Sequence, residues 1–104
     1  MIEIEIYKFG CEYGLNKVPE AIRPFIEEFL KEHGGHRKSY EIPERGMSEI
    51  FYFFETPPNV ILPWEKLEKK LGIKIKIVVE DTFLIFLLKG CDSELFDDED
   101  HFFL

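Results

Sequence analysis

The chain has 104 residues, 45% of them hydrophobic, including eleven Phe, four Tyr and one Trp, and its 21 acids against 13 bases give a formal net charge of −8. Such a length and composition describe one folded domain with a single core and exclude an intrinsically disordered chain. The acidic balance argues against direct binding to DNA or RNA phosphates, which requires clustered Lys and Arg, and favours a protein partner with a basic surface, toward which the chain would be steered at long range.

The first element is a strand. Over residues 2–9, Ile2, Ile4 and Ile6 alternate with Glu3 and Glu5, the period-two pattern of a half-buried strand. This start has neither the basic segment nor the continuous apolar run of a signal peptide. The longest apolar run, residues 83–88, is far below the roughly 20 residues that span a bilayer. No membrane partner is expected, and the expected location is cytoplasmic. The presence of only two cysteines, Cys11 and Cys91, fits that compartment. Abundant Ile, Lys and Glu with no Gln resemble thermophile usage, although an AT-rich genome gives a similar bias.

Residues 18–33 read as an amphipathic helix, because Ile22, Phe25, Ile26, Phe29 and Leu30 recur at three and four and Gly34-Gly35 follow as a stop. Pro24 forces either its start or a kink. Strands are expected near 37–42 and 49–55, joined by PERGMS. TPPNVILP, residues 56–63, is an extended connection, since adjacent prolines do not serve a central ladder. A second helix opens at Pro63, places Trp64, Leu67 and Leu71 on one side and stops at Gly72. Ile73, Ile75 and Ile77 then alternate with Lys74 and Lys76 in another strand. After a turn at Glu80-Asp81, TFLIFLLK, residues 82–89, reads as the most apolar strand of all.

This β-α-β-β-α-β-β order places the chain in the α+β class. It predicts a ferredoxin-like plan with one added strand, a mostly antiparallel five-stranded sheet carrying two helices on one face. Residues 1–91 form the domain and 92–104 a tail. Ile2, Ile4, Ile6, Ile73, Ile75 and Ile77 are expected beneath Phe25, Phe29, Trp64 and Leu67. As a bare edge the last strand would invite aggregation, so it should lie centrally or be covered.

No catalytic or cofactor motif stands out. His33 and His36 form H-x-x-H, and Cys11, Cys91 and His101 are ligand types that zinc accepts. There is no C-x-x-C pair, however, and His33 suits a helix end; no metal and no cofactor are expected. Cys11 and Cys91 fall just past the first and last expected strands. They would approach bonding distance if those strands were parallel neighbours, and otherwise remain two reduced thiols. GGHRK, residues 34–38, lacks the P-loop ending, and Ser39, Ser48 and Ser93 lack a nucleophile elbow. Tyr52 and Phe54 could stack nucleic-acid bases, but the accompanying basic residues are missing. An enzyme would require His33, His36, Cys11 and Cys91 to be assembled only in three dimensions.

The strongest functional signal is the C-terminus. Residues 92–100 hold six acids and no base, and the rest of the chain is nearly balanced, with 15 acids against 13 bases. Leu95 and Phe96 precede Phe102 and Phe103 by seven residues, which returns them to nearly one helical face. Asp92 or Ser93 could cap such a helix, with Glu94, Asp97 and Asp98 near its positive end and Glu99 and Asp100 following. A segment this short needs a surface to pack on. Its own domain, a twin subunit in a homodimer, and a foreign protein with a basic, apolar-floored groove all qualify. In the last case Asp92, Glu94, Asp97, Asp98, Glu99 and Asp100 stand where phosphates normally do, and Leu95, Phe96, Phe102 and Phe103 supply the affinity. Small acidic inhibitors of this type are common among virus- and plasmid-borne proteins. The competing expectation is a homodimeric ligand-binding regulatory domain.

Overall fold

The computed structural model describes residues 1–44 and 46–95. The alternating isoleucines form β1 (Ile2–Phe9), which turns at Gly10 and Cys11 into a three-residue strand, β2 (Glu12–Gly14). The tight turn needs a left-handed residue, and Gly10 supplies it with φ 61°. Helix α1 (Arg23–Glu32) starts later than its apolar spacing suggests. Pro24 sits in its first turn, and residues 20–22 form a turn closed by the Ile22 and Arg23 N–H groups, which donate to the Pro19 carbonyl. The Gly35 N–H donates to the Leu30 carbonyl at 2.7 Å and closes the helix.

β3 (His36–Glu44) and β4 (Met47–Glu55) form an antiparallel hairpin, with Glu44 opposite Met47. Helix α2 (Trp64–Leu71) follows the proline-rich connection and ends on a left-handed Gly72. β5 (Ile73–Val79) then pairs with β1 in parallel, Ile4 opposite Ile75.

The next segment departs from expectation. Residues Phe83–Gly90 form a helix, α3, and not a strand. Phe83, Phe86, Leu87 and Gly90 are the positions turned inward, a spacing of three, four and seven that belongs to a helix. The outward positions Leu84 and Leu88 are apolar too, so the pattern has no polar side to reveal its period. The chain ends its described part in β6 (Asp92–Leu95), antiparallel to β4, with Asp92 opposite Tyr52 and Leu95 opposite Glu49.

The class is α+β, as expected, but the architecture is a mixed six-stranded sheet with three helices among the described residues. The strand order is β3-β4-β2-β1-β5, with β6 beside β4 next to the short β2. The element order that suggested a ferredoxin-like plan, with two helices on one face of a five-stranded sheet, is therefore not the one found. One core lies between the sheet and α1 with α2, where Ile4, Ile6, Ile26, Leu30, Leu67, Ile73 and Ile75 are buried. Ile2 and Phe25, expected in that core, are 56% and 53% exposed. A second core lies on the opposite face, where α3 seals Phe86, Leu87 and Cys91 against Phe51 and Phe53. Contact there is close enough that only glycine fits at two places. A Cβ on Gly90 would overlap Tyr7, and one on Gly14 would overlap the Gly90 carbonyl.

Among the described residues no helix is long and apolar enough to cross a membrane.

Candidate protein-binding face

Beyond the reach of three-residue β2, Ile50 and Tyr52 of β4 would turn unpaired backbone groups to that side, and buried backbone groups require partners. β6 meets this need, which explains why Asp92–Leu95 is extended instead of opening a helix at Asp92 or Ser93. An ion pair fastens its start. Arg23 Nη1 donates to Asp92 Oδ2 at 2.6 Å, and Nη2 donates to the Val18 carbonyl at 3.3 Å. The Asp92 carboxylate, still 42% exposed, is thus a clamp between the start of α1 and β6.

Strand alternation sets Glu94, opposite Ile50, on the same sheet face as Asp92. Glu94 is exposed. In the neighbouring row the Arg37 guanidinium lies over the Tyr52 ring at 4.3 Å, a cation–π contact that sets one base beside the acids. Of the remaining residues expected to bind a partner, Leu95 closes β6. Phe96, Asp97, Asp98, Glu99, Asp100, Phe102 and Phe103 lie outside the described residues, as does His101.

The structure separates the other chemical candidates. His33 ends α1, its Nδ1 2.9 Å from the Phe29 carbonyl, whereas His36 stands on β3 with Nε2 3.9 Å from Glu55 Oε1. Cys11 and Cys91 are free thiols. Cys91 follows a helix, and the parallel neighbour of β1 is β5, so the strand geometry imagined for a disulfide does not arise. Burial, reinforced by Asp92 and Glu12, pushes the Cys91 thiol up to about 12. It is protonated at neutral pH and unsuited to nucleophilic attack. Among the described residues no group of three His, Cys, Asp or Glu side chains is placed to hold a metal ion.

Two features escaped the sequence. Glu12, Glu55 and His36 form one row across β2, β4 and β3, and Lys38 Nζ donates to Glu55 Oε1 at 2.9 Å. Burial, and then the Glu55 charge, raises the Glu12 carboxyl above its ordinary value, against a smaller lowering by Lys38. Without β2 this row cannot be assembled from the sequence. The second feature is a groove of about 330 Å³ between α1 and α2, floored by Phe25, Phe29, Pro63 and Leu67. Glu28 and Glu32 line it from α1, and Lys66 and Lys70 from α2. Its signal was available in the spacing, since Phe25, Phe29 and His33 follow one another at four along α1.

No protein-family model, no curated protein and no solved structure matches the chain. The class is that of an α+β protein with a mixed sheet covered on both faces.

Proposed function

We propose that the chain is a small acidic, non-enzymatic protein-binding module, an inhibitor or regulator of a basic nucleic-acid-processing protein. In this reading Glu94, Asp97, Asp98, Glu99 and Asp100 occupy positions that phosphates take in the partner's groove, and Leu95, Phe96, Phe102 and Phe103 supply apolar contact. Asp92 anchors the segment. The observation that carries the reading is a run of six acids without a base over residues 92–100 whose first residues are fixed to the domain by the β4 ladder and the Arg23–Asp92 pair. A fixed origin lowers the entropy lost when such a segment engages a partner.

The test is affinity capture from lysate with the full chain and with a chain ending at Leu95, which keeps β6 and its clamp. Basic nucleic-acid enzymes should be retained by the full chain alone and released as salt rises. Equal capture by both chains, or a salt-independent complex, removes the proposal. A second reading, a homodimeric ligand-binding regulatory domain, is favoured by the α1–α2 groove, whose apolar floor and paired carboxylates and ammonium groups suit a small molecule bearing both charges. It predicts thermal stabilisation by such metabolites.

A further inference from the structure

Edge strands expose backbone groups that pair readily with another chain, and folded proteins keep them short or covered. The strands at the two ends of the β3-β4-β2-β1-β5 path differ sharply in this respect. β5 is capped: Glu68 Oε2, from α2, accepts the Ile75 N–H at 2.7 Å. It also places Lys74 and Lys76 on one face, so that a symmetric pairing near its centre would set ammonium against ammonium.

β3 is nine residues long, and residues 36–41 are exposed. Among the described residues no hydrogen bond outside the β3–β4 ladder engages the backbone of Arg37, Ser39 or Glu41. Two residues separate Glu44 from its partner Met47. In a hairpin closed this way the flanking pair exchanges its hydrogen bonds inward, and alternate residues point outward. Residues 37, 39, 41 and 43 therefore face away from β4. Pro43 falls at an outward position, where its missing N–H costs the hairpin nothing.

We propose that β3 pairs with β3 of a second copy of this chain, antiparallel and centred on Ser39, to form one continuous sheet across a two-fold axis. In an antiparallel pair, opposite residues share a face, so the axis must pass through a residue position. Centring on Ser39 sets Arg37 opposite the partner's Glu41, and Glu41 opposite the partner's Arg37, on the same face. It also sets Lys38 against the partner's Tyr40 on the other face, where Tyr40 is 47% exposed. Pro43 lies just beyond the paired span. Centring on Tyr40 would instead oppose Arg37 to Pro43, which has no N–H to give, and centring on Lys38 would leave Glu41 unpaired. Charge and backbone thus select one register. This contact goes beyond the tail-mediated reading and does not use residues 96–104.

Sedimentation equilibrium over a range of concentrations tests it, with the full chain, the chain ending at Leu95, and the variants Arg37→Glu, Glu41→Arg and Arg37→Glu/Glu41→Arg, each checked for folding by circular dichroism. A dimer is expected for the full chain and for the shortened one. Each single reversal creates two like-charged pairs and should raise the dissociation constant about tenfold, and the double reversal should restore it. A chain that is monomeric throughout, a dimer lost on removal of residues 96–104, or single reversals without effect would each overturn the pairing. Failure of the capture experiment above would leave these outcomes unchanged, so the two readings fall separately.

Discussion

Replacing Phe86 with Ala should cost about 3–5 kcal/mol, the loss expected for a large aromatic removed from a core. The Phe86 side chain is fully buried and lies at the centre of an aromatic group, its ring 6.0 Å from those of Phe53 and Phe83 and 6.1 Å from that of Phe9. Among the described residues α3 is the element that covers this face, so none of them forms a second layer to collapse into the space. A domain of this size carries about 5–15 kcal/mol of total stability, and the melting temperature should fall on the order of 20 °C. Leu84→Ala and Leu88→Ala, at positions 56% and 61% exposed, should each change stability by under about 1 kcal/mol. The contrast also checks the secondary structure. In a strand, residues 84, 86 and 88 share a face and would respond alike; in a helix only Phe86 turns inward. Equal losses in urea titrations of all three variants would argue for the strand.

The second large effect lies where α3 meets β1 and β2. Gly14→Ala should destabilise the fold by roughly 3 kcal/mol, at the upper end of ordinary overpacking, because the new Cβ would overlap the Gly90 carbonyl, which is backbone and cannot rotate away. That carbonyl is held in place by the Asn16 N–H at 3.0 Å, and Gly14 is paired with Tyr7 in the β1–β2 ladder. Relief therefore requires α3 to lift from the sheet, opening the core around Phe86. Gly10→Ala makes the control. Its Cβ would meet nothing within 4 Å, and only the left-handed φ of 61° resists it, at a cost of about 1–2 kcal/mol. Thermal melts of the two variants measured together should rank Gly14→Ala well below Gly10→Ala.

These two sites mark where sequence periodicity stopped being informative. β1, β5 and α2 were legible because each has one apolar and one charged side: Ile2, Ile4 and Ile6 against Glu3 and Glu5, Ile73 and Ile75 against Lys74 and Lys76, Leu67 against Glu65 and Lys69. The β3–β4 hairpin was legible from its turn residues. α3 has no charged side, and a short apolar run bounded by turns reads equally as a buried strand or a buried helix. The choice is made by tertiary context, since the sheet face formed by Tyr7, Phe9, Phe51 and Phe53 needs a cover. β2 is too short to carry a period, and its absence from the reading hid both the Glu12–Glu55 row and the gap along β4 that β6 fills. Of the acidic segment, the sequence located the charge but not the anchor. Asp92 looked like a free helix cap, and its partner Arg23 stands 69 residues away.

The proposal that the acidic segment takes the place of nucleic acid on a basic partner is tested by competition. A captured partner is titrated with the full chain in the presence and absence of a DNA duplex, and again with the variant Asp97→Asn/Asp98→Asn/Glu99→Gln/Asp100→Asn. Duplex and chain should exclude one another, affinity should fall steeply with salt, and the neutralised variant should bind at least about tenfold more weakly. A partner that holds duplex and chain together, with the neutralised variant bound as tightly as the original, would contradict it.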